Sequence, residues 1–177
     1  MTQAAASTKV VTGKCRFSYA QQLYVPKPND KGIDKFGVTL LIPKSDKVTY
    51  DKLCAANEAV LRAKVSGQPE AFYKAKPKTV HDGDGTRPSD GTAYSKECKG
   101  HWVVTVASNE RPEVVDENAN PLMEKINSGD YGRVSLNAYY FTGTNKGVTF
   151  GLGNVQLLER GERIDGRTSA ADDFSEF

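Results

Sequence analysis

The chain has 177 residues, 24 Lys and Arg against 22 Asp and Glu, a formal net charge of +2 and 38% hydrophobic residues. That composition excludes wholesale disorder and a helical membrane protein, and the length suits one domain with or without tails. No stretch of the sequence approaches the roughly 18 consecutive apolar residues that a membrane-spanning helix needs. The opening Met-Thr-Gln-Ala-Ala-Ala-Ser has no apolar signal core, and Cys15, Cys54 and Cys98 are odd in number with no CxxC spacing. The expected setting is a reducing cytoplasm.

Charge is unevenly placed. Residues 1–52 hold nine basic side chains against four acidic ones, residues 101–130 hold two against six, and the last six residues hold three acids and no base. A basic body with an acidic end points to a polyanionic partner.

Taken in chain order, residues 8–20 alternate, with Val11, Cys15, Phe17 and Tyr19 on one parity and Thr12, Lys14, Arg16 and Ser18 on the other. The pattern predicts a half-buried strand with a basic outer face. Residues 21–34 contain Pro26, Pro28, Asn29, Asp30 and Gly32 and read as a loop. Residues 35–43 predict a second strand whose Phe36, Val38, Leu40 and Ile42 share a face. The one convincing helix is expected over residues 46–65, capped by Ser45 or Asp46 and ended by Gly67 and Pro69. Its apolar stripe is Tyr50, Leu53, Cys54, Val60 and Leu61, interrupted by Asn57. Residues 67–99, rich in Gly, Pro, Asp and Lys, predict a long excursion with little regular structure. A third strand is expected at 101–108 and an acidic hairpin at 111–130. Residues 131–142 and 147–158 pair as an antiparallel hairpin through Gly143–Gly147. From about residue 161 the core pattern ends, and a flexible tail is expected. Five main strands, one helix and long loops predict a mainly β fold: a small β-barrel of the oligonucleotide-binding (OB) type, elaborated with long loops.

The strongest local chemistry lies on the second-to-last strand. Alternation puts Val134, Leu136, Ala138 and Tyr140 inward and Arg133, Ser135, Asn137, Tyr139 and Phe141 outward. Rings to stack bases beside cations and donors for phosphates are what an unpaired polynucleotide requires. Lys14 and Arg16 add the same chemistry if the first strand continues that face. The alternative is that Tyr139 and Phe141 pack under the loop 67–99. That loop carries its own cluster, Phe72, Tyr73, Lys74, Lys76 and Lys78, which reads either as a groove wall or as a solvated loop anchored by its rings.

Other motifs point to little chemistry. His81-Asp-Gly-Asp84 has carboxylates for a hard cation but lacks EF-hand spacing, and Asp-Gly steps are ordinary turns. There is no GxxxxGK[ST] run, no dinucleotide fingerprint and no triad or zincin spacing around His81 and His101. The expectation is a protein that is not an enzyme and carries no cofactor or metal. The terminal Ala-Ala-Asp-Asp-Phe-Ser-Glu-Phe combines two rings with three acids. It reads as a docking peptide through Asp172, Asp173, Phe174, Glu176 and Phe177, as a competitor for the protein's own basic groove, or as a solubilising end.

Val11–Tyr19, Val38–Asp46, His81–Asp84, Arg111-Pro112 with Val114–Asp116, Tyr131–Asn137, and Asn145–Gly147 leading to Gly151–Gln156 occur in order. Together they resemble a family of tailed-bacteriophage single-stranded-DNA-binding proteins of OB-fold type, over about residues 9–174. The resemblance implies an OB-fold-like domain over 1–160, an acidic tail over 161–177 that recruits replication or recombination partners, and a role in phage replication, recombination or repair. It departs in one respect: the helix follows the second clear strand, where OB folds usually place it after the third. The candidate DNA contacts are therefore ranked by chemistry: Lys14, Arg16, Arg133, Tyr139 and Phe141, then Phe72, Tyr73, Lys74 and Lys76. A phage structural or interaction protein that uses the same barrel without touching nucleic acid is the rival reading. A homo-oligomer is left open.

Overall fold

The computed structural model describes residues 8–29, 31–88, 90–142 and 146–164. Nine strands and two α-helices occur among them. The strands are β1 (Lys9–Val11), β2 (Cys15–Ser18), β3 (Lys27–Pro28), β4 (Asp34–Pro43), β5 (Val80–Asp82), β6 (His101–Ser108), β7 (Val114–Val115), β8 (Tyr131–Phe141) and β9 (Gly147–Glu159). The helices are α1 (Lys47–Lys64) and α2 (Glu70–Tyr73).

Six of these strands form a closed barrel. β4 pairs antiparallel with β2 and β6, β6 meets β9 in parallel at Ala107 and Gly151, β9 pairs antiparallel with β8, and β8 closes on both β1 and β2. With β1 and β2 counted as one broken strand, the order round the barrel is first, second, third, fifth, fourth, which is the OB arrangement. The helix lies between the second and third barrel strands, as the sequence pattern places it.

Alternation sets the core. Val38, Leu40 and Ile42 from β4, Val104 and Val106 from β6, Val134 and Leu136 from β8, and Phe150 and Val155 from β9 all point inward and are buried. α1 closes one end with Leu53, Ala56, Val60 and Leu61. Its cap is Asp46, whose Oδ1 accepts from the Thr49 amide at 3.1 Å and whose Oδ2 accepts from the Thr49 hydroxyl at 2.6 Å. Those bonds satisfy a first-turn donor that has no partner inside the helix.

The first strand departs from the pattern. Val10 and Thr12 point inward, and so do Cys15 and Phe17, so the inward parity slips by one residue between Thr12 and Cys15. Val11 and Tyr19, expected inside, are 36% and 59% exposed. Gly13 sits at the slip: its amide donates to Thr49 Oγ1 at 2.8 Å, and a Cβ there would lie 2.5 Å from Asp46 Oδ2. The helix cap thus approaches too closely for any larger residue, and the strand breaks where it passes.

The excursion 67–99 is more regular than its composition implies. It contains α2, the strand β5 on the edge of β6, and a 3-10 turn at Lys96–Cys98. Residues 161–164, assigned by pattern to the tail, lie against the barrel. The Gly161 amide donates to Asp130 Oδ1, the Ile164 amide donates to the Ser128 carbonyl, and the Ile164 side chain packs beside Leu41, Cys98 and Val103. Asp172, Asp173, Phe174, Glu176 and Phe177 lie outside the described residues. No helix among the described residues is long and apolar enough to cross a membrane.

Candidate nucleic-acid interface

Tyr139 stands on the outer face of β8 and is 46% exposed. It borders a cleft of about 650 Å³ that crosses β1, β8, β9 and the end of β6. The floor is low because Ala107, Gly151 and Gly153 carry little or no side chain. The Tyr139 ring occupies part of the space so freed, since a Cβ on Gly151 would come within 3.2 Å of its Cε1. A ring laid over a side-chain-free floor leaves one face for a partner.

Lys9 and Lys35 line the same cleft with Asn109, Asn137 and Ser135. Lys35 bonds Asn109 Oδ1, and the Ser135 hydroxyl accepts the Asn154 amide at 2.8 Å. Lys9, Ser135 and Asn154 also line a second cleft of about 250 Å³ that contains Arg133 between Val11 and Val115. Arg133 and Tyr139 therefore belong to one continuous surface. Phe141, half-buried and opposite Gly147, continues the outer face of β8 past Tyr139.

The surface extends the other way along the β4–β6 ladder. Gly37 pairs with Ala107, and the next outward pair is Thr39 with Thr105, whose hydroxyls are 3.1 Å apart. That pair floors a third hollow of about 380 Å³, bordered by Tyr19, His81, Arg87 and Tyr94. Two residues of strand separate the hollows, about 7 Å. Tyr19 holds left-handed backbone angles (φ 54°, ψ 39°), uncommon for a side chain of its size, and that conformation aims an exposed ring outward. The Arg87 guanidinium lies 5.7 Å from the Tyr94 ring centroid, and its Nε is buried with no hydrogen-bond partner among the described residues. Burial, and secondarily Lys76, pushes the His81 pKa down from its ordinary value.

Lys14 and Arg16 are elsewhere. Arg16 donates from Nε to the Gly129 carbonyl at 3.0 Å and from a terminal nitrogen to the Glu162 carbonyl at 2.7 Å. Lys14 pairs with Glu159, and both cations lie over the Tyr131 ring, 5.3 Å and 5.4 Å from its centroid. Tyr131 is eight residues along β8 from Tyr139, about 26 Å in an extended strand. These cations fasten the segment after β9 to the barrel.

The loop cluster is divided as well. Tyr73 is 7% exposed, and its hydroxyl donates to the Val65 carbonyl at 2.7 Å, so its ring is a core group. Phe72 meets it edge-on at 5.4 Å and is partly exposed, and Lys74 is exposed at the end of α2. Lys76 lies 4.3 Å from the Trp102 ring centroid, and Trp102 stacks on Tyr50. Phe72 and Lys76 share a pocket with Tyr140, whose side chain leaves β8 on the face opposite Tyr139, so they do not join the cleft. In the His81–Asp84 turn, Asp82 and Asp84 grip Lys44 at 2.6 Å and 2.8 Å, and that ammonium holds both carboxyls below their usual range. Among the described residues, no group of three or more His, Cys, Asp or Glu is placed to hold a metal ion.

Sequence reasoning thus missed Lys9, Lys35, Tyr19, Arg87 and Tyr94. Only Tyr19 had a local signal: it keeps the parity of the buried Cys15 and Phe17, but β2 ends at Ser18 and the left-handed backbone at Tyr19 turns its ring outward.

Comparison with known proteins places the chain. A family model described as "Enterobacter phage Enc34, ssDNA-binding protein" matches residues 8–177. The fold is similar to that of the single-stranded DNA-binding protein from bacteriophage Enc34 in complex with ssDNA, at 19% identity over 93% of this chain and 96% of that one, with a TM-score of 0.72. Another structure of the Enc34 protein gives 20% identity, 98% and 97% coverage and a TM-score of 0.68. The single-stranded DNA-binding protein gp2.5 encoded by bacteriophage T7 is similar at 17% identity, 94% and 92% coverage and a TM-score of 0.54. None of the curated proteins matches.

Proposed function

Because the chain belongs to the family of the Enterobacter phage Enc34 ssDNA-binding protein, we propose that it coats single-stranded DNA without marked sequence preference, as a binding protein that performs no catalysis. The observation that carries this reading is the continuous outer surface on which Tyr139 lies over Gly151 beside Lys9, Lys35 and Arg133. Stacking on a ring is indifferent to base identity, because every base has a flat face, and cations read only the backbone. The Tyr19–Tyr94–Arg87 hollow continues the track along the face that OB folds generally use. The Arg87 guanidinium borders that hollow beside Tyr94 and would offer its charge to a phosphate there.

The protein would act on strands exposed during phage replication, recombination or repair in the host cytoplasm. Its acidic end, with Asp172, Asp173, Phe174, Glu176 and Phe177, would present rings and charge to the proteins that work there. The test is fluorescence titration with single-stranded DNA, duplex DNA and RNA oligonucleotides at two salt concentrations. Log affinity for single strands should fall linearly with log salt, by about 0.7 per phosphate neutralised. Equal affinity for duplex and single strands, or affinity without salt dependence, would overturn the reading.

A further inference from the structure

A pocket of about 230 Å³ opens on the helix side of the β8–β9 hairpin, on the opposite face from Tyr139. Leu61, Phe72, Ala75, Tyr140 and Val148 make its walls, Lys76, Lys78 and Lys146 surround them, and no acidic residue lines it. Its one buried amide, Asn57, already donates to the Ala75 carbonyl at 3.4 Å. The walls therefore suit a ring without polar edges. A nucleobase would bury donors and acceptors unpaired, which is costly, whereas a phenyl ring has none to lose. Three lysines around an apolar hollow also call for acids flanking that ring.

The chain contains such a segment. Residues 170–177 carry Phe174 and Phe177 with Asp172, Asp173 and Glu176 between and beside them, three acids for three lysines. The last described residue, Ile164, packs on Val103 of β6, and β6 neighbours β9, whose first residue, Gly147, lines the pocket. Phe174 is ten steps along the chain from Ile164, which can reach about 33 Å when extended, against a strand spacing of about 4.8 Å. We propose that segment 170–177 docks in this pocket of its own chain, one phenylalanine ring between Leu61, Phe72 and Tyr140, its acids on Lys76, Lys78 and Lys146. The dock lies outside the cleft, so tail and DNA bind at the same time, and the segment is withheld from other proteins until it is displaced. This inference stands independently of what the cleft binds.

The test uses the full chain with Phe174 or Phe177 replaced by p-benzoylphenylalanine, irradiated and mapped by mass spectrometry. Crosslinks are expected to peptides containing Leu61, Phe72, Tyr140 or Val148. They should persist with saturating single-stranded DNA and vanish in the Lys78→Glu, Lys146→Glu variant. Mixing isotope-labelled and unlabelled chains should give no mixed pairs. Crosslinks to Lys9 or Lys35, mixed-isotope pairs, or loss on adding DNA would each overturn the proposal. Trp102, the only tryptophan in the chain and 4.3 Å from Lys76, supplies a second readout free of the bulky probe. Its emission should shift when Asp172, Asp173 and Glu176 are changed together to Asn, Asn and Gln, and an unchanged spectrum would overturn the dock.

Discussion

The replacement Tyr139→Ala tests the stacking surface most directly. A base stacked on an aromatic side chain contributes about 1–3 kcal/mol. Tyr139 is 46% exposed and has one side turned to the floor at Gly151, so it offers a single face. The lower part of the range applies, about 1–1.5 kcal/mol, or roughly a 5- to 12-fold rise in Kd. Because the ring stands outside the core, unfolding should change little beyond the loss of its cross-strand contact with Thr149, about 1 kcal/mol or less. Fluorescence anisotropy with a labelled single strand gives the Kd, and a urea titration gives the stability. Tyr139→Phe should bind as the parent does, because the flat face and not the hydroxyl makes the contact. A Kd within twofold of the parent for a folded Tyr139→Ala protein would refute the stacking assignment and move the bases to another part of the surface.

Three further outcomes follow from the same geometry. Lys9→Ala and Lys35→Ala should each reduce the slope of log affinity against log salt by about 0.7, whereas Lys14→Ala, whose ammonium is paired with Glu159 beside Tyr131, should leave it unchanged; equal slopes for all three would contradict the placement of the cleft. Asp130→Ala should cost about 3 kcal/mol in a urea titration, because the buried carboxylate accepts from the amides of Asn127 and Gly161 and pairs with Arg160 at 2.8 Å; a loss below about 1 kcal/mol would contradict this. Burial pushes the Cys15 thiol up to about 12, against a lowering bond from Thr12, so at pH 8 alkylation should reach Cys15 only on unfolding, and fast labelling in the native protein would place it wrongly.

The pH dependence of one surface link can be signed. Asp82 and Asp84 are lowered by Lys44, with bonds from the amides of Asp84 and Gly100 adding to the effect. A carboxyl lowered on folding stabilises the native state fully above its unfolded value, about 4, and loses that contribution as pH falls through the folded value. Protection of the Gly100 amide, which donates to Asp84 at 3.1 Å, should therefore fall on acidification below that range when exchange is referred to an unstructured peptide at the same pH, and Lys44→Ala should weaken the dependence. An exchange rate indifferent to Lys44→Ala would show that the turn is held by its backbone alone.

Much of the fold was legible because alternation reports burial directly. The inward set Val134, Leu136 and Ala138 and the helix stripe through Leu53, Val60 and Leu61 follow from period alone and are buried as expected. Asn57, which interrupts that stripe, is buried because it reaches a backbone carbonyl, a partner no periodicity could show. The site was half legible for a related reason. Tyr139 and Arg133 lie on one strand, so parity places them together. Lys9, Lys35 and Asn109 come from three separate elements and meet only through the barrel's ladders, with Lys9 beside Asn137 on β1–β8 and Lys35 near Asn109 beyond the β4–β6 pairing. Tertiary register, not local sequence, assembles that half.

The first strand shows why composition misled on its cations. Lys9, Lys14 and Arg16 look alike in sequence, but the slip at Gly13 separates them into two roles. Before it, β1 pairs with the middle of β8, and Lys9 stands opposite Asn137 in the cleft. After it, β2 pairs with the start of β8, and Arg16 stands opposite Tyr131 and holds the carbonyls of Gly129 and Glu162. An unbroken strand would keep one parity, so burying Cys15 and Phe17 would force Val10 and Thr12 outward. The inserted residue is what lets both halves bury their apolar sides while the same strand both borders the cleft and fastens the far end of β9.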